Sequence, residues 1–221
     1  MRRIIHANGL SIFLTLFFLI FLLGQILSGR LQNNEERQQH GLAPLSLSEY
    51  LGTAHFLEAT MENWESEFLQ MGVYVIMTAF LFQKGSSESK DPNESGPVDR
   101  DPRRAKDKES APWPVKRGGL ILKLYENSLT LAFLVLFLIS FFLHAVGGRG
   151  EYNEEQIVHG QEPVALLEFM TTSRFWFESF QNWQSEFLAI ACMVVFSIFL
   201  RQRGSPESKP VDSPHSQTGT D

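Results

Sequence analysis

No residue from Leu10 to Leu27 carries a charge. As a helix these 18 residues (LSIFLTLFFLIFLLGQIL) cover ~27 Å, close to the ~30 Å hydrocarbon core of a bilayer. A helix on the surface of a water-soluble core would show a polar stripe, and this one shows almost none. A second such block runs from Leu129 to Val146 (LTLAFLVLFLISFFLHAV). Two shorter blocks, Phe68 to Phe82 and Phe187 to Leu200, reach only roughly 21–23 Å. To cross a membrane, each must extend backwards through the N-W-x-S-E that precedes it. Arg2 and Arg3 ahead of the first block would suit a cleaved leader. The apolar run is longer than a leader's, however, and it recurs at 129–146, where a leader makes no sense. The first block is therefore expected to stay as a membrane helix.

The chain also repeats itself. Shifted by 119 residues it aligns with itself without a gap, and 32 of the 83 positions from 8 to 90 are identical. Asn8 falls on Asn127, Gly29-Arg30 on Gly148-Arg149, and Asn34-Glu35-Glu36 on Asn153-Glu154-Glu155. His40-Gly41 falls on His159-Gly160 and Pro44 on Pro163. The N-W-x-S-E-F-L of 63–69 falls on 182–188, and the exit Q-x-G-S-x-E-S-K of 83–90 on 202–209. Many matches lie in polar stretches, so a chance likeness between greasy helices does not explain them. The expected fold class is an all-α membrane protein with four transmembrane helices, arranged as two parallel tandem hairpins. The hairpins would be related by an axis along the membrane normal. The domains are then a first hairpin at 1–84, a linker at 85–118, a second hairpin at 119–203 and a tail at 204–221. Linker and tail are rich in Pro, Gly, Ser and mixed charge, a composition that predicts disorder.

Charge sets the expected orientation. The long loops hold Arg30 and Arg37 in one copy and Arg149 and Arg174 in the other, whereas the connector from Gln83 to Glu126 holds ten Lys and Arg. An excess of cations marks the cytoplasmic side, so both termini and the connector are expected there, and the loops outside. Within the loops, Ser46-Leu-Ser-Glu49 reads as a capping box, with Tyr50, Leu51, Ala54, Phe56 and Leu57 following at helical spacing. This stretch and its counterpart at 164–180 are expected to form short amphipathic surface helices, about one per loop.

A few polar positions stand out. Trp64 and Trp183 sit where a span begins, as an aromatic belt would. Glu67 and Glu186 lie near the outer end of their helices. They suit the helix dipole if exposed, and need a partner if submerged. Asn63 and Asn182 lie four residues earlier on the same face and could bond them. Arg30 and Arg149 end the other helix of each hairpin on the same side, which makes Arg30–Glu67 and Arg149–Glu186 candidate pairs. Glu35, Glu36 and His40, repeated as Glu154, Glu155 and His159, read as a polar turn with a left-handed Gly41 or Gly160 rather than as a metal site. Gln25 and His144 occupy equivalent outer-end positions and suit hydrogen bonds between helices. The single cysteine, Cys192, lies among apolar residues, where a thiolate is disfavoured. There is no phosphate loop, H-E-x-x-H, C-x-x-C or nucleophile elbow. With a net charge of -6 the chain is not expected to bind nucleic acid. No catalytic residue, cofactor or metal is expected, and the bilayer is the expected partner, with a second copy or another membrane protein left open.

The E-N-W-E-S-E-F-L-Q-M-G of 62–72, running on into T-A-F-L-F-Q-K-G-S-S-E-S-K-D-P at 78–92, resembles the DUF6766 family of bacterial four-helix membrane proteins. The H-F-L-E-A of 55–59 and the N-W-Q-S-E-F-L of 182–188 fit the same resemblance. It implies a bacterial cytoplasmic membrane and brings no activity, ligand or site residue. The expected function is a non-enzymatic structural or interaction protein of the cell envelope. A small transporter or channel along the repeat axis, with Glu67 and Glu186 at its mouth, is the alternative.

Overall fold

The computed structural model describes residues 2–91 and 96–219, with side chains from residue 6 onward. The Arg2 and Arg3 side chains, on which part of the orientation argument rests, lie outside the described residues. So do residues 92–95 and 220–221 of the linker and tail. The described residues form helices and no strand. In chain order they are α1 (Arg2–Gln39), α2 (Leu47–Tyr50), α3 (Ala54–Phe80), α4 (Trp113–Arg117), α5 (Gly119–Glu126), α6 (Ser128–Val158), α7 (Leu166–Phe169) and α8 (Ser173–Phe199). Two short 3-10 turns, Pro97–Asp99 and Pro102–Ala105, interrupt the connector.

Three of the described helices are long and apolar enough to cross a membrane: His6–Gln39 of α1, α6 and α8. No residue in the apolar window of α1 is buried, and few are in those of α6 and α8. Leu10 and Phe21 are 77 % and 71 % exposed. Apolar surface on this scale suits lipid and not water. The fourth expected crossing, α3, matches α8 at 27 residues, or about 40 Å. It is less apolar than α8, chiefly because Gln70, Met71, Gly72 and Tyr74 stand where α8 has Ala189, Ile190, Ala191 and Met193.

The expected long loops are largely helical. Residues 28–39 are polar but contain no proline, and their Glu, Gln and Arg are good helix formers. So α1 continues well past its apolar block, until Gly41 ends it at φ 73°. Gly160, at φ 70°, follows α6 in the same way. The expected surface helices are corrected too. Ser46 does form the capping box with Glu49, but α2 is only four residues long. Thr53 then starts a new helix: its hydroxyl donates to the Tyr50 carbonyl (2.7 Å) and accepts from Phe56 N (3.2 Å). Nothing breaks the chain from there, so Ala54, His55 and Phe56 open α3 itself. Thr172 does the same for α8 through Phe169 O and Phe175 N. This early start supplies the length that the apolar blocks at 68–82 and 187–200 lack.

Other local geometry recurs at the same offset. Asn34 clamps Leu45 from both sides, Oδ1 accepting from Leu45 N (2.7 Å) and Nδ2 donating to its carbonyl (3.1 Å). Asn153 clamps Val164 likewise. Asn8 interrupts α1 (φ -129°, ψ 20°), and Asn127 ends α5 at nearly the same angles. The exit turns each pin a backbone N–H, Gln83 on Ser89 Oγ and Gln202 on Ser208 Oγ.

The chain divides into two compact units, and each takes residues from both halves of the sequence. Unit 1 is Met1–Met61 with Phe142–Phe175, and unit 2 is Glu62–Phe141 with Trp176–Asp221. In unit 1 the start of α3 lies tight against α6. A Cβ on Gly147 would fall 2.6 Å from Glu58 N and 2.9 Å from its Cα. In unit 2, α3 and α6 also touch, with Phe133 Cβ 3.2 Å from where a Cβ on Gly72 would lie.

Linker and tail carry more local structure than their composition predicts. Lys209 is 1 % exposed, and its ammonium donates to the carbonyls of Gly85 (2.6 Å), Gln217 (2.9 Å) and His215 (3.1 Å). Burial and the nearby Arg201 charge lower its pKa below the ordinary lysine value. Gly219 N bonds Ser86 O, and Thr218 Oγ1 takes a bond from Gly85 N.

Replacing a mid-helix glycine by alanine ordinarily stabilises by about 0.5–1 kcal/mol. Gly147→Ala is expected to lower the detergent-solubilised melting temperature, because its methyl group meets Glu58 backbone. Gly24→Ala, with nothing within 4 Å, is expected to hold or raise it. Circular dichroism melts of the two variants check the opposite signs.

Candidate functional site

The polar side chains of interest fall into one set in each unit. In unit 2 they join α3 to α8. Glu65 is fully buried, and its Oε1 accepts from the indole Nε1 of Trp183 (2.9 Å). Asn182 Nδ2 donates to Glu62 Oε1 and to Glu178 O one turn back on its own helix. Gln70, also buried, donates from Nε2 to the Glu186 carbonyl (2.8 Å). Around this line, Trp183 meets Phe137 and Phe180 edge to face, and Trp176 bridges Phe180 and Trp183. Edge-to-face pairs at such spacings add about 0.5–1.5 kcal/mol each beyond the area they bury.

In unit 1, Arg174 at the start of α8 pairs with Glu155 of α6 (2.7 Å) and Glu58 of α3 (3.6 Å), and lies over the Tyr152 ring. His144 is fully buried against the Phe175 ring. Gln25 Nε2 donates to Thr60 Oγ1 (3.2 Å), a bond from α1 to α3 of the kind its position suggested. Tyr50 is buried, with its hydroxyl on His55 Nδ1 (3.2 Å) and against Gly29. Burial and the Glu151 charge raise its pKa. Phe169 takes the same place against Gly148. Both copies of the E-E-x-x-x-H motif reach one cavity of about 680 Å³, which Glu36, His40, Glu154, Glu155 and His159 line. No group of three or more His, Cys, Asp or Glu among the described residues is disposed to hold a metal ion.

The residues singled out from sequence are distributed unevenly over these sets. Trp183 and Asn182 stand in the unit 2 contact, while Trp64 meets Phe68 of its own helix edge to face. Asn63 accepts at its carbonyl from Ser66 Oγ (2.8 Å), and Asn182 from Ser185 Oγ (2.8 Å). Asn182 thus reaches Glu62 and not Glu186. Glu67 is exposed and Glu186 half-buried, and in unit 2 neither carboxylate takes a hydrogen bond or ion pair from a described residue. Arg30 and Arg149 belong to unit 1, where Arg30 Nε donates to the Leu45 carbonyl (2.9 Å).

Glu58, Glu62, Glu65 and Gln70 were not signalled by the repeat. Their counterparts are Phe177, Gln181, Gln184 and Ala189. The signal that could have found them is this mismatch: a carboxylate or amide kept in one copy only, at helical spacing along one edge of α3.

The profile of DUF6766, described as a domain of unknown function, matches residues 1–220. The chain belongs to that family. No curated protein and no solved structure matches it. In this chain the two N-W-x-S-E helices are held edge to edge by α3 side chains, Glu62, Glu65 and Gln70, that the second copy does not share.

Glu65 and Glu67 are two residues apart and should behave differently. Glu65→Ala leaves the Trp183 indole without this acceptor and is expected to cost about 1–3 kcal/mol. Glu67→Ala, exposed and unbonded, is expected to stay within about 0.5 kcal/mol of the parent. Unfolding in mixed micelles, followed by circular dichroism, reads both, and equal losses would contradict the assignment.

Proposed function

We propose that the chain is a four-crossing protein of the bacterial cytoplasmic membrane, built from two parallel hairpins, with both termini and the connector cytoplasmic. Its role on this reading is structural or interactive, and it has no enzymatic activity. The observation that carries it is the disposition of α3. Its length equals that of α8, and the polar groups that lower its hydropathy, Glu65 and Gln70, are buried against protein. Burial against protein lets these two polar groups stand at membrane depth, while the exposed Glu67 precedes the apolar stretch 68–82 that would lie deepest in lipid. The ten Lys and Arg of the connector support the orientation. The aromatic packing along Phe137, Phe180 and Trp183 supports a packed structural role over an aqueous path. A transport role is the second reading, and it draws on Glu67 and Glu186, whose carboxylates no described residue of unit 2 engages.

Single cysteines at positions 40 and 106, in a Cys192→Ala background, test the topology. An impermeant maleimide applied to intact cells is expected to label position 40 at once, and position 106 only after lysis. Labelling of both from one side would remove the reading. For transport, flux in proteoliposomes is expected to be unchanged by Glu67→Gln with Glu186→Gln; a flux that the double variant abolishes would favour the second reading.

A further inference from the structure

Unit 2 contains a groove that none of the packing described so far uses. It lies between the second half of α3 and the second half of α8 and has a volume of about 430 Å³, within the ~300–1,000 Å³ usual for small-molecule sites. Met77 and Leu81 form one wall, and Phe187, Ile190 and Val194 the other. Its lining is otherwise apolar apart from Thr78 and a polar end, where Tyr74, Gln83, Glu88 and Ser89 meet. Tyr74 Oη donates to Glu88 Oε2 (2.7 Å), and Ser87 Oγ to Glu88 Oε1 (3.3 Å). Both donors are neutral. They hold the carboxylate in place and leave its charge uncompensated.

Three basic side chains of this region, Lys209, Arg201 and Lys90, are engaged elsewhere, and neither Lys84 nor Arg203 pairs with Glu88. Lys209 sits among the carbonyls of Gly85, His215 and Gln217. Arg201 spans the carbonyls of Ser197, Leu200 and Ser213, and Lys90 pairs with Asp99. Among the described residues, Glu88 has no ion pair. An anion fixed by neutral donors at the mouth of an apolar groove is complementary to one class of molecule. That class has an apolar body and a single positive charge.

We propose that this groove binds lipophilic cations, the apolar body lying between α3 and α8 and the positive group resting against Glu88. Charge complementarity selects this occupant over a neutral acyl chain, which would leave the carboxylate without a counter-charge. It also selects against an anionic amphiphile, which the carboxylate repels. The second copy offers no equivalent, since Met193 replaces Tyr74 and the hydroxyl that orients the carboxylate is missing.

Two probes of the same shape and opposite charge test this, tetraphenylphosphonium and tetraphenylborate. Each is dialysed to equilibrium against the purified full chain in a neutral maltoside micelle. The phosphonium is expected to bind saturably, near one per chain, and the borate only to partition into the micelle. Glu88→Gln is expected to weaken phosphonium binding about tenfold. Glu162→Gln, which removes the same charge from an exposed loop, is expected to leave it unchanged. Ala191→Phe, which fills the groove, is expected to abolish saturation with Glu88 intact. Saturable borate binding, wild-type affinity in Glu88→Gln, or equal losses in Glu88→Gln and Glu162→Gln would each overturn the proposal. If Ala191→Phe does not fold, as size-exclusion chromatography would show, the charge pair and the two Gln variants still decide.

Discussion

Glu65 buries a carboxylate within a helix whose second half is apolar, and this limits where α3 can lie. A charged or strongly polar group cannot be left to hydrocarbon; it must meet protein or water. In unit 2 it meets the Trp183 indole, and Gln70, five residues on, meets the Glu186 carbonyl of the same neighbouring helix. Two polar anchors on one edge fix both the face that α3 turns towards α8 and the register between them. The aromatic contacts of Trp183 with Phe137 and Phe180 fill the space around that line. In unit 1, the start of α3 is set by a different device, close approach: Gly147 admits the Glu58 backbone, where any side chain would collide.

The parts of the fold that could be read from sequence are those the two halves share. The Asn34 and Asn153 clamps, the Thr53 and Thr172 helix starts, and the left-handed Gly41 and Gly160 are identical residues doing identical local work. Local geometry of this kind depends on a few neighbouring residues, so a repeated pattern marks it. Contacts between the halves obey the opposite rule. A side chain on one half meets a different surface on the other, and the two members of a contact need not match. Glu65 with Trp183 and Gln70 with the Glu186 carbonyl are of this sort, so a search for repeated polar residues finds Glu67 and Glu186 and passes over Glu65. The mismatched positions carried the information.

Hydropathy does not reveal helix length, for a related reason. Hydropathy marks the stretch that faces lipid, but a helix ends only where its backbone is made to end. Between Ser28 and Gln39 nothing does so before Gly41, and between Thr53 and Phe68 there is neither glycine nor proline. The polar stretches that composition assigns to loop and surface helix are therefore continuations of the long helices. Composition likewise predicts a disordered tail, whereas Lys209 gathers four carbonyls around one ammonium and draws residues 214–217 in with it. A single buried cation with enough acceptors can order a segment that has no apolar core of its own.

If polar anchors between the halves hold the fold together, covalent continuity through the linker is dispensable. The direct measurement is to express residues 1–91 and 119–221 as separate chains in one cell and purify through a tag on either. The account predicts that they co-elute in stoichiometric amounts from a neutral detergent, and that Glu65→Leu in the first piece releases the second. Pieces that insert into the membrane but elute apart, or a complex indifferent to Glu65, would contradict it.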